Sequence, residues 1–137
     1  MILFDTNVWS VLRKPAGQEH VASRISESMD EAWLSVIAIA EIRMGIENPT
    51  ATAKRAELAQ WLADLETICA DRILDFDTRC AHVFGELVVR RKLQKQETKL
   101  LDIQLAAQAI ASDCPIATRN VRDFEWTGAN VVNPWDT

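Results

Sequence analysis

The stretch Met1-Ile-Leu-Phe-Asp5-Thr-Asn7 decides the fold class of this chain. Four apolar residues end abruptly at three polar ones, a pattern that predicts a buried strand followed by a polar turn. Four more runs that predict short strands follow along the chain, at residues 32–36, 72–76, 114–118 and 131–132. The first seven residues therefore begin a series of buried strands.

Helical patterns separate these strands. Val21, Ile25 and Met29 recur at a spacing of four residues, as they would on one face of an amphipathic helix. The predicted helices cover residues 8–12, 18–29, 37–46, 53–69, 78–95 and 101–112. Strands that alternate with helices predict an α/β fold, a three-layer α/β/α sandwich around a mostly parallel sheet of four or five strands. We expect residues 1–137 to form a single domain.

Composition excludes several classes of protein. The 137 residues are 48% apolar and 26% charged, as in ordinary globular proteins, and they include no tyrosine that could act as a nucleophile. The 4 glycines lie too far apart for a glycine-rich nucleotide loop, and the 2 histidines are too few for an HExxH metal helix. The net charge of −5 argues against a uniformly basic nucleic-acid-binding protein.

Three features predict a cytoplasmic location. No stretch reaches the roughly 18 apolar residues that indicate a membrane-spanning helix, so we expect no membrane segment. The N-terminus has no basic region before its apolar run, and therefore does not match a signal peptide. The 3 cysteines, Cys69, Cys80 and Cys114, are odd in number and irregularly spaced, which favours reduced thiols.

Acidic and polar residues fall at the predicted carboxyl ends of the strands, where open parallel sheets bind ligands. Asp5 directly follows the first strand, Glu41 lies one turn into the helix after the second, and Asp102 lies in the first turn of the helix before the fourth. The residues of interest after the fourth strand are Thr118, Arg119, Asn120 and Asp123. We expect these groups to meet at one edge of the sheet.

Each acid also has a purely structural interpretation. Asp5 is a suitable N-cap for the helix that follows it, and Asp102 suits the positive end of a helix dipole. Glu41 lies among apolar residues, where a carboxylate needs a partner such as an arginine. Asn120 and Asp123 together fit a capped helical turn.

Taken as a set, the carboxylates favour a metal site. Acids that converge at one edge repel one another and have raised pKa values, and a bound divalent cation removes that penalty. Oxygen ligands select Mg²⁺ or Mn²⁺ over zinc. Such a centre suits phosphodiester hydrolysis, because the cation activates water and stabilises the charge that develops on phosphate oxygens.

Five segments occur in order along the chain: Met1-Ile-Leu-Phe-Asp5-Thr-Asn7, Ile37-Ala-Ile-Ala-Glu41-Ile-Arg-Met-Gly45, Leu101-Asp102-Ile-Gln-Leu-Ala-Ala107, Ala117-Thr118-Arg119-Asn120-Val-Arg-Asp123-Phe124 and Asn133-Pro-Trp135. The first four resemble the motifs of PIN-domain nucleases. The fifth resembles the tail of the FitB-like branch of VapC-type toxins. The resemblance covers essentially the whole chain, and it implies a PIN-like fold.

The resemblance also implies a function and partners. The function is that of a toxin of a type II toxin–antitoxin pair: an endoribonuclease that uses Mg²⁺ or Mn²⁺ to cut structured cellular RNA, tRNA among it, and so arrests translation. The implied partners are the RNA substrate, a small cognate antitoxin and a second copy of the chain in a homodimer. A higher assembly with the antitoxin is expected as well.

By position, the resemblance makes Asp5, Glu41 and Asp102 the metal-binding and catalytic carboxylates. The fourth acidic catalytic position of the family falls on Asn120, which is an amide, so the number of bound cations stays open. The polar residues expected to support the site are Thr6, Thr118 and Asp123.

Several basic or aromatic residues are candidates for RNA contact. Arg90, Arg91 and Lys92 either end a helix in solvent, where cations suit the dipole, or contact RNA phosphates. Arg119, beside the fourth motif, has the same two interpretations. Trp9 follows the first motif and is either core material or a surface on which a base stacks.

The sequence leaves other functions open. The main alternative is a catalytically degenerate PIN-like module that acts through partner or nucleic-acid binding, with Asn120 as a sign of lost catalysis. The motifs do not distinguish a nuclease that cuts RNA from one that cuts DNA. A phosphatase that uses Asp5 is disfavoured, because its motif needs a second aspartate where this chain has Asn7.

Overall fold

Five short strands form one sheet in the computed structural model, which describes residues 1–136. Every neighbouring pair is parallel, and the strand order is β3-β2-β1-β4-β5. The strands are β1 (Ile2–Phe4), β2 (Ala32–Ser35), β3 (Ile73–Leu74), β4 (Ile116–Ala117) and β5 (Val131–Val132). All five predicted strands are therefore confirmed, and the sheet is wholly parallel.

Seven α-helices connect and cover these strands within residues 1–136. They are α1 (Thr6–Arg13), α2 (Glu19–Glu27), α3 (Val36–Glu47), α4 (Arg55–Ile68), α5 (Thr78–Leu93), α6 (Leu100–Ala111) and α7 (Val121–Glu125). Helix α1 begins two residues before the predicted start at Val8, because the Asp5 carboxylate accepts a hydrogen bond from the Thr6 amide and caps the first turn. A 3₁₀ turn at Met29–Glu31, which the sequence pattern does not predict, leads into β2.

Alternating side chains of β1 pack against the two helical layers. Phe4 is 2% exposed and belongs to a cluster with α1, α2, α3 and α4. Leu3 is fully buried on the opposite face, in a cluster with α5, α6 and α7. Burial of a side chain of this size contributes about 1.5–3 kcal/mol. The predicted three-layer α/β/α arrangement is confirmed.

Two polar side chains connect the helical layers at the carboxyl edge of the sheet. Ser35 caps α3 by accepting a hydrogen bond from the Ile37 amide at 2.9 Å, and its hydroxyl donates to Oε1 of Gln108. The Gln108 amide nitrogen donates to the carbonyl oxygens of Leu74 and Asp75 at 3.0 and 3.2 Å. This Ser35–Gln108 network fixes α6 against the ends of β2 and β3, and thereby orients α3 relative to α6.

The aromatic and sulfur-containing side chains are mostly core material. Trp9 is fully buried, with its ring centroid 4.9 Å from that of Phe4, so the base-stacking role considered for it is wrong. Cys69, Cys80 and Cys114 are free and buried, as predicted for reduced thiols. No helix within residues 1–136 combines the length and apolar character needed to cross a bilayer.

Candidate metal centre

The candidate site lies where the direction of strand addition reverses. From β1 the chain adds β2 and β3 on one side, then returns to add β4 and β5 on the other. A crevice opens between the carboxyl ends of the two strands at such a switch point, here β1 and β4. Asp5 directly follows β1 and Thr118 directly follows β4, which places both at this crevice.

Three donors hold the Asp5 carboxylate in one orientation. The Thr6 amide donates to Oδ1 at 2.8 Å, the Thr118 hydroxyl donates to Oδ2 at 2.7 Å, and the Asn7 side-chain nitrogen donates to Oδ2 at 3.3 Å. Burial nevertheless raises the pKa of Asp5, because its side chain is almost completely removed from water. Asp5 therefore acts as an N-cap and also belongs to the site, so its two interpretations are compatible.

Glu41 and Asp102 reach the same crevice from the two helical layers. Glu41 lies in the second turn of α3, and Asp102 is the third residue of α6. Burial, followed by the charges of Asp5 and Asp102, raises the pKa of Glu41 to about 7. Burial, followed by the charges of Asp5 and Asp123, raises the pKa of Asp102 to about 6, and nearby Lys99 opposes both shifts.

The three carboxylates converge tightly enough to share one ligand. One oxygen atom from each of Asp5, Glu41 and Asp102 lies within 4.8 Å of the other two. No salt bridge within residues 1–136 includes any of them, so the arginine partner considered for Glu41 is wrong. A hard divalent cation fits this set, because it takes oxygen ligands and supplies the positive charge that the three acids lack.

A cavity of about 340 Å³ opens onto the carboxylates. Its walls also include Thr6, whose hydroxyl donates to Glu41 Oε1 at 3.2 Å, and Asn120, which replaces the fourth acid of the family pattern. Asp123 does not line this cavity and does not belong to the cluster of converging oxygens. It lies near enough to raise the pKa values of Asp5 and Asp102, and so affects the site through its charge.

Sequence reasoning missed two residues of the site. Asn7 donates to the side chains of Asp5 and Thr118, and its Oδ1 accepts a hydrogen bond from the Arg119 amide at 3.3 Å. Lys99 is the one cation among the residues that line the cavity. Each had a signal in the sequence, since Asn7 belongs to the first motif and Lys99 ends the stretch 90–99, which contains five basic residues. Only the folded chain shows what the two side chains contact.

The basic residues considered for RNA binding occupy different surroundings. The Arg90 and Arg91 guanidinium groups donate to the carbonyl oxygens of Thr127 and Thr98, at 3.2 and 2.9 Å. Lys92 is exposed, and none of the three lines the carboxylate cavity. An RNA contact through them remains a prediction.

A wholly parallel sheet with three acids at its switch point is the arrangement expected of a PIN-domain nuclease. The family model described as "PIN domain" matches residues 2–128, and the chain belongs to that family.

The chain is similar over nearly its full length to a protein named as a ribonuclease and to one named as a toxin. "VapC ribonuclease Y4jK" of Sinorhizobium fredii is 32% identical, with 99% of each chain covered. "Toxin FitB" of Neisseria gonorrhoeae is 31% identical, with 98% of this chain and 99% of the relative covered. The crystal structure of FitAcB from Neisseria gonorrhoeae superposes with a TM-score of 0.82 at 30% identity, and 100% of both chains is covered.

Proposed function

We propose that this protein is a divalent-cation-dependent endoribonuclease that acts as the toxin of a type II toxin–antitoxin pair. The observation that carries the proposal is the convergence of Asp5, Glu41 and Asp102 oxygens within 4.8 Å in an open cavity, without a salt-bridge partner in residues 1–136. The similarity to a VapC ribonuclease and to toxin FitB supports RNA as the substrate and toxicity as the outcome.

The residues of the cavity have separate tasks in this proposal. Asp5 is held by three hydrogen bonds and, with Asp102, would hold Mg²⁺ or Mn²⁺, while Glu41 completes the ligand set. When bound, the cation activates water and offsets the charge that develops on the phosphate. Glu41 accepts a hydrogen bond from the Thr6 hydroxyl at 3.2 Å, and its carboxylate oxygen that does not hold the cation is the one that we expect to accept the proton of the attacking water.

The amide at Asn120 reduces the negative charge of the site by one. Three carboxylates are enough for one divalent cation, so we propose a single tightly bound cation. The supporting residues are Thr6 and Thr118, through their hydrogen bonds to Glu41 and Asp5, and Asp123, through its charge.

The proposal includes partners and a location. A toxin must be neutralised in the cell that makes it, so we expect a small cognate antitoxin in the cytoplasm. Exposed apolar side chains on α5, Val89 and Leu93, are 59% and 77% exposed and are available for a homodimer or a larger assembly with that antitoxin. Arg90, Arg91, Lys92 and Arg119 remain the proposed RNA contacts.

Incubation of the purified chain with total cellular RNA tests the chemistry. Cleavage should require Mg²⁺ or Mn²⁺, stop on addition of EDTA, and resume when the cation is restored in excess. Mn²⁺ should also raise the melting temperature, because it binds the folded chain only. Cleavage that EDTA leaves unchanged would contradict the proposed mechanism.

Asn120 favours one alternative, a PIN-like module that binds a partner or nucleic acid without catalysis. The two functions differ in their response to the cation. A degenerate module gives no cleavage of RNA or DNA at any Mn²⁺ concentration and no rise in melting temperature. Expression of the chain alone should then leave cell growth unaffected, whereas a toxin arrests it.

A further inference from the structure

A second cavity of about 370 Å³ lies beside the carboxylate cavity. Its main walls are Asn7, Arg13, Lys14, Gln18, Arg119 and Trp135, and we name it the Trp135 pocket. Asn7 lines both cavities, so they adjoin at this residue. Its volume falls in the range of about 300–1,000 Å³ that is usual for small-ligand sites.

The charges of the Trp135 pocket are opposite to those of its neighbour. Three cations and no carboxylate line it, although the whole chain has a net charge of −5. The Arg13 guanidinium pairs with Glu57 at 3.0 Å. Lys14 and Arg119 form no salt bridge within residues 1–136, so two positive charges are available to an anionic ligand.

The pocket also contains a fixed planar surface. The guanidinium carbon of Arg119 lies 5.3 Å from the centroid of the Trp135 ring. The indole nitrogen of Trp135 donates to Gln18 Oε1 at 2.8 Å, and its backbone amide donates to Asn133 Oδ1 at 2.9 Å. Indole rings and guanidinium planes are the surfaces on which unpaired bases stack.

The pocket is coupled to the carboxylates through Asn7. The Arg119 amide donates to Asn7 Oδ1 at 3.3 Å, and the Asn7 nitrogen donates to Asp5 Oδ2 at 3.3 Å. The pocket therefore adjoins the carboxylates on the side where a nucleotide next to a bound phosphate would find it. Cations for a phosphate and a flat surface for a base, next to each other, match one nucleotide better than they match an acidic peptide, which needs only the cations.

We propose that the Trp135 pocket binds an unpaired nucleotide of the RNA substrate next to the scissile phosphate, with the base stacked on the Arg119–Trp135 pair. This inference rests on the proposed function, since it takes RNA as the substrate. It makes Trp135 and Arg119 determinants of substrate choice: RNA with an unpaired nucleotide at the cut is bound more tightly than a continuous duplex.

Fluorescence anisotropy with a labelled single-stranded RNA of about a dozen nucleotides tests this, in the Asp5→Asn background and in EDTA so that no cleavage occurs. We expect Trp135→Ala to weaken binding about tenfold, or ~1.4 kcal/mol. Trp135→Phe should retain most of the affinity, because it keeps an aromatic face. Arg119→Gln should weaken binding and reduce its dependence on salt. Arg79→Gln is the matched control, because it removes the same charge outside both cavities, and it should change the affinity and the salt dependence much less.

Trp135 also packs against the core, so each variant is first checked by its melting curve, and Arg119→Gln carries the test if Trp135→Ala does not fold. Equal RNA affinity for folded Trp135→Ala or Arg119→Gln and the parent overturns the inference. The inference is also overturned if these variants lose affinity for an oligoglutamate peptide but not for RNA, which would assign the pocket to an acidic protein partner. If the variants lose the same affinity for single-stranded and for duplex RNA, the pocket does not bind an unpaired nucleotide and the inference is wrong.

The two proposals fail in different ways. If the intact chain does not cleave RNA with either cation but Trp135→Ala still weakens RNA binding, the proposed catalysis is wrong, and the pocket is a nucleotide-binding site without a neighbouring scissile phosphate. If the intact chain cleaves RNA and the Trp135 and Arg119 variants cleave with unchanged KM, the pocket assignment alone is wrong.

Discussion

Two groups of buried or half-buried polar side chains lie at the carboxyl edge of the same sheet, and they differ in how far hydrogen bonds and opposite charges stabilise them. In the Ser35–Gln108 network, neutral donors and acceptors are paired with each other and with backbone groups. In the carboxylate cluster, burial and like charge raise the pKa values of all three acids, and no salt bridge within residues 1–136 offsets their charge. The neutral network holds the two helical layers together, whereas the carboxylate cluster lowers the stability of the cation-free chain, as expected for the group that we propose to bind a cation.

The largest expected effect comes from Asp5→Asn. Loss of the central carboxylate should lower RNA cleavage at least ~1,000-fold, because the cation stabilises the transition state by several kcal/mol. The melting temperature without cation should stay equal or rise, since one of three repelling charges is removed. Initial cleavage rates and melting curves measure both quantities. The exposed Asp64→Asn variant is the control, and full activity in Asp5→Asn would refute the assignment of Asp5.

The next effect concerns the hydroxyl that holds Asp5. Thr118→Val removes the donor at 2.7 Å from Asp5 Oδ2 and should weaken Mn²⁺ binding about 10–100-fold, as expected for a residue that orients a metal ligand. Thr118→Ser keeps the hydroxyl and should restore most of the affinity. Isothermal titration with Mn²⁺ makes the comparison. Equal affinities for the Val and Ser variants would show that the hydrogen bond does not matter.

A smaller effect, on stability alone, tests the neutral network. Gln108→Leu leaves two carbonyl oxygens and the Ser35 hydroxyl without their partner, and should reduce the free energy of unfolding by about 1–3 kcal/mol. Urea denaturation measures this loss. Gln104→Leu, on the same helix and only partly buried, should cost much less. A similar loss in both variants would mean that the network contributes no more than ordinary helix packing.

The smallest effect is a dependence of stability on pH. Since the pKa of Glu41 is raised to about 7 and that of Asp102 to about 6, the folded chain binds more protons than the unfolded chain between about pH 4 and 7. The cation-free protein should therefore lose a few degrees of melting temperature as pH rises through that range. Mn²⁺ should reverse the loss at pH 8, and Glu41→Gln should reduce it. A cation-free melting temperature that rises from pH 5 to pH 8 would contradict the raised pKa values.

The sequence predicts the features of the site that depend on local patterns, but not the contacts between residues that lie far apart along the chain. The first strand, its polar turn and the unusual position of Glu41 among apolar residues are local patterns, and the switch-point rule then places Asp5, Glu41 and Asp102 together. The bridging role of Asn7 and the Ser35–Gln108 contact were not predictable, because they join residues far apart in sequence through side-chain directions. Arg90 and Arg91 show the same limit, since a basic run does not reveal that its members donate to backbone carbonyl oxygens.

The hydrogen bond from the Thr6 amide to Asp5 Oδ1 has a practical consequence. One backbone N–H, at the first residue of α1, senses the electron density of the central carboxylate directly. The resonance of this amide proton should shift when a cation binds Asp5, because the cation withdraws electron density from the carboxylate that accepts the hydrogen bond. The cross-peak of Thr6 in a ¹⁵N-correlated NMR spectrum should therefore report how much of the carboxylate site is occupied by a cation, without any RNA in the sample.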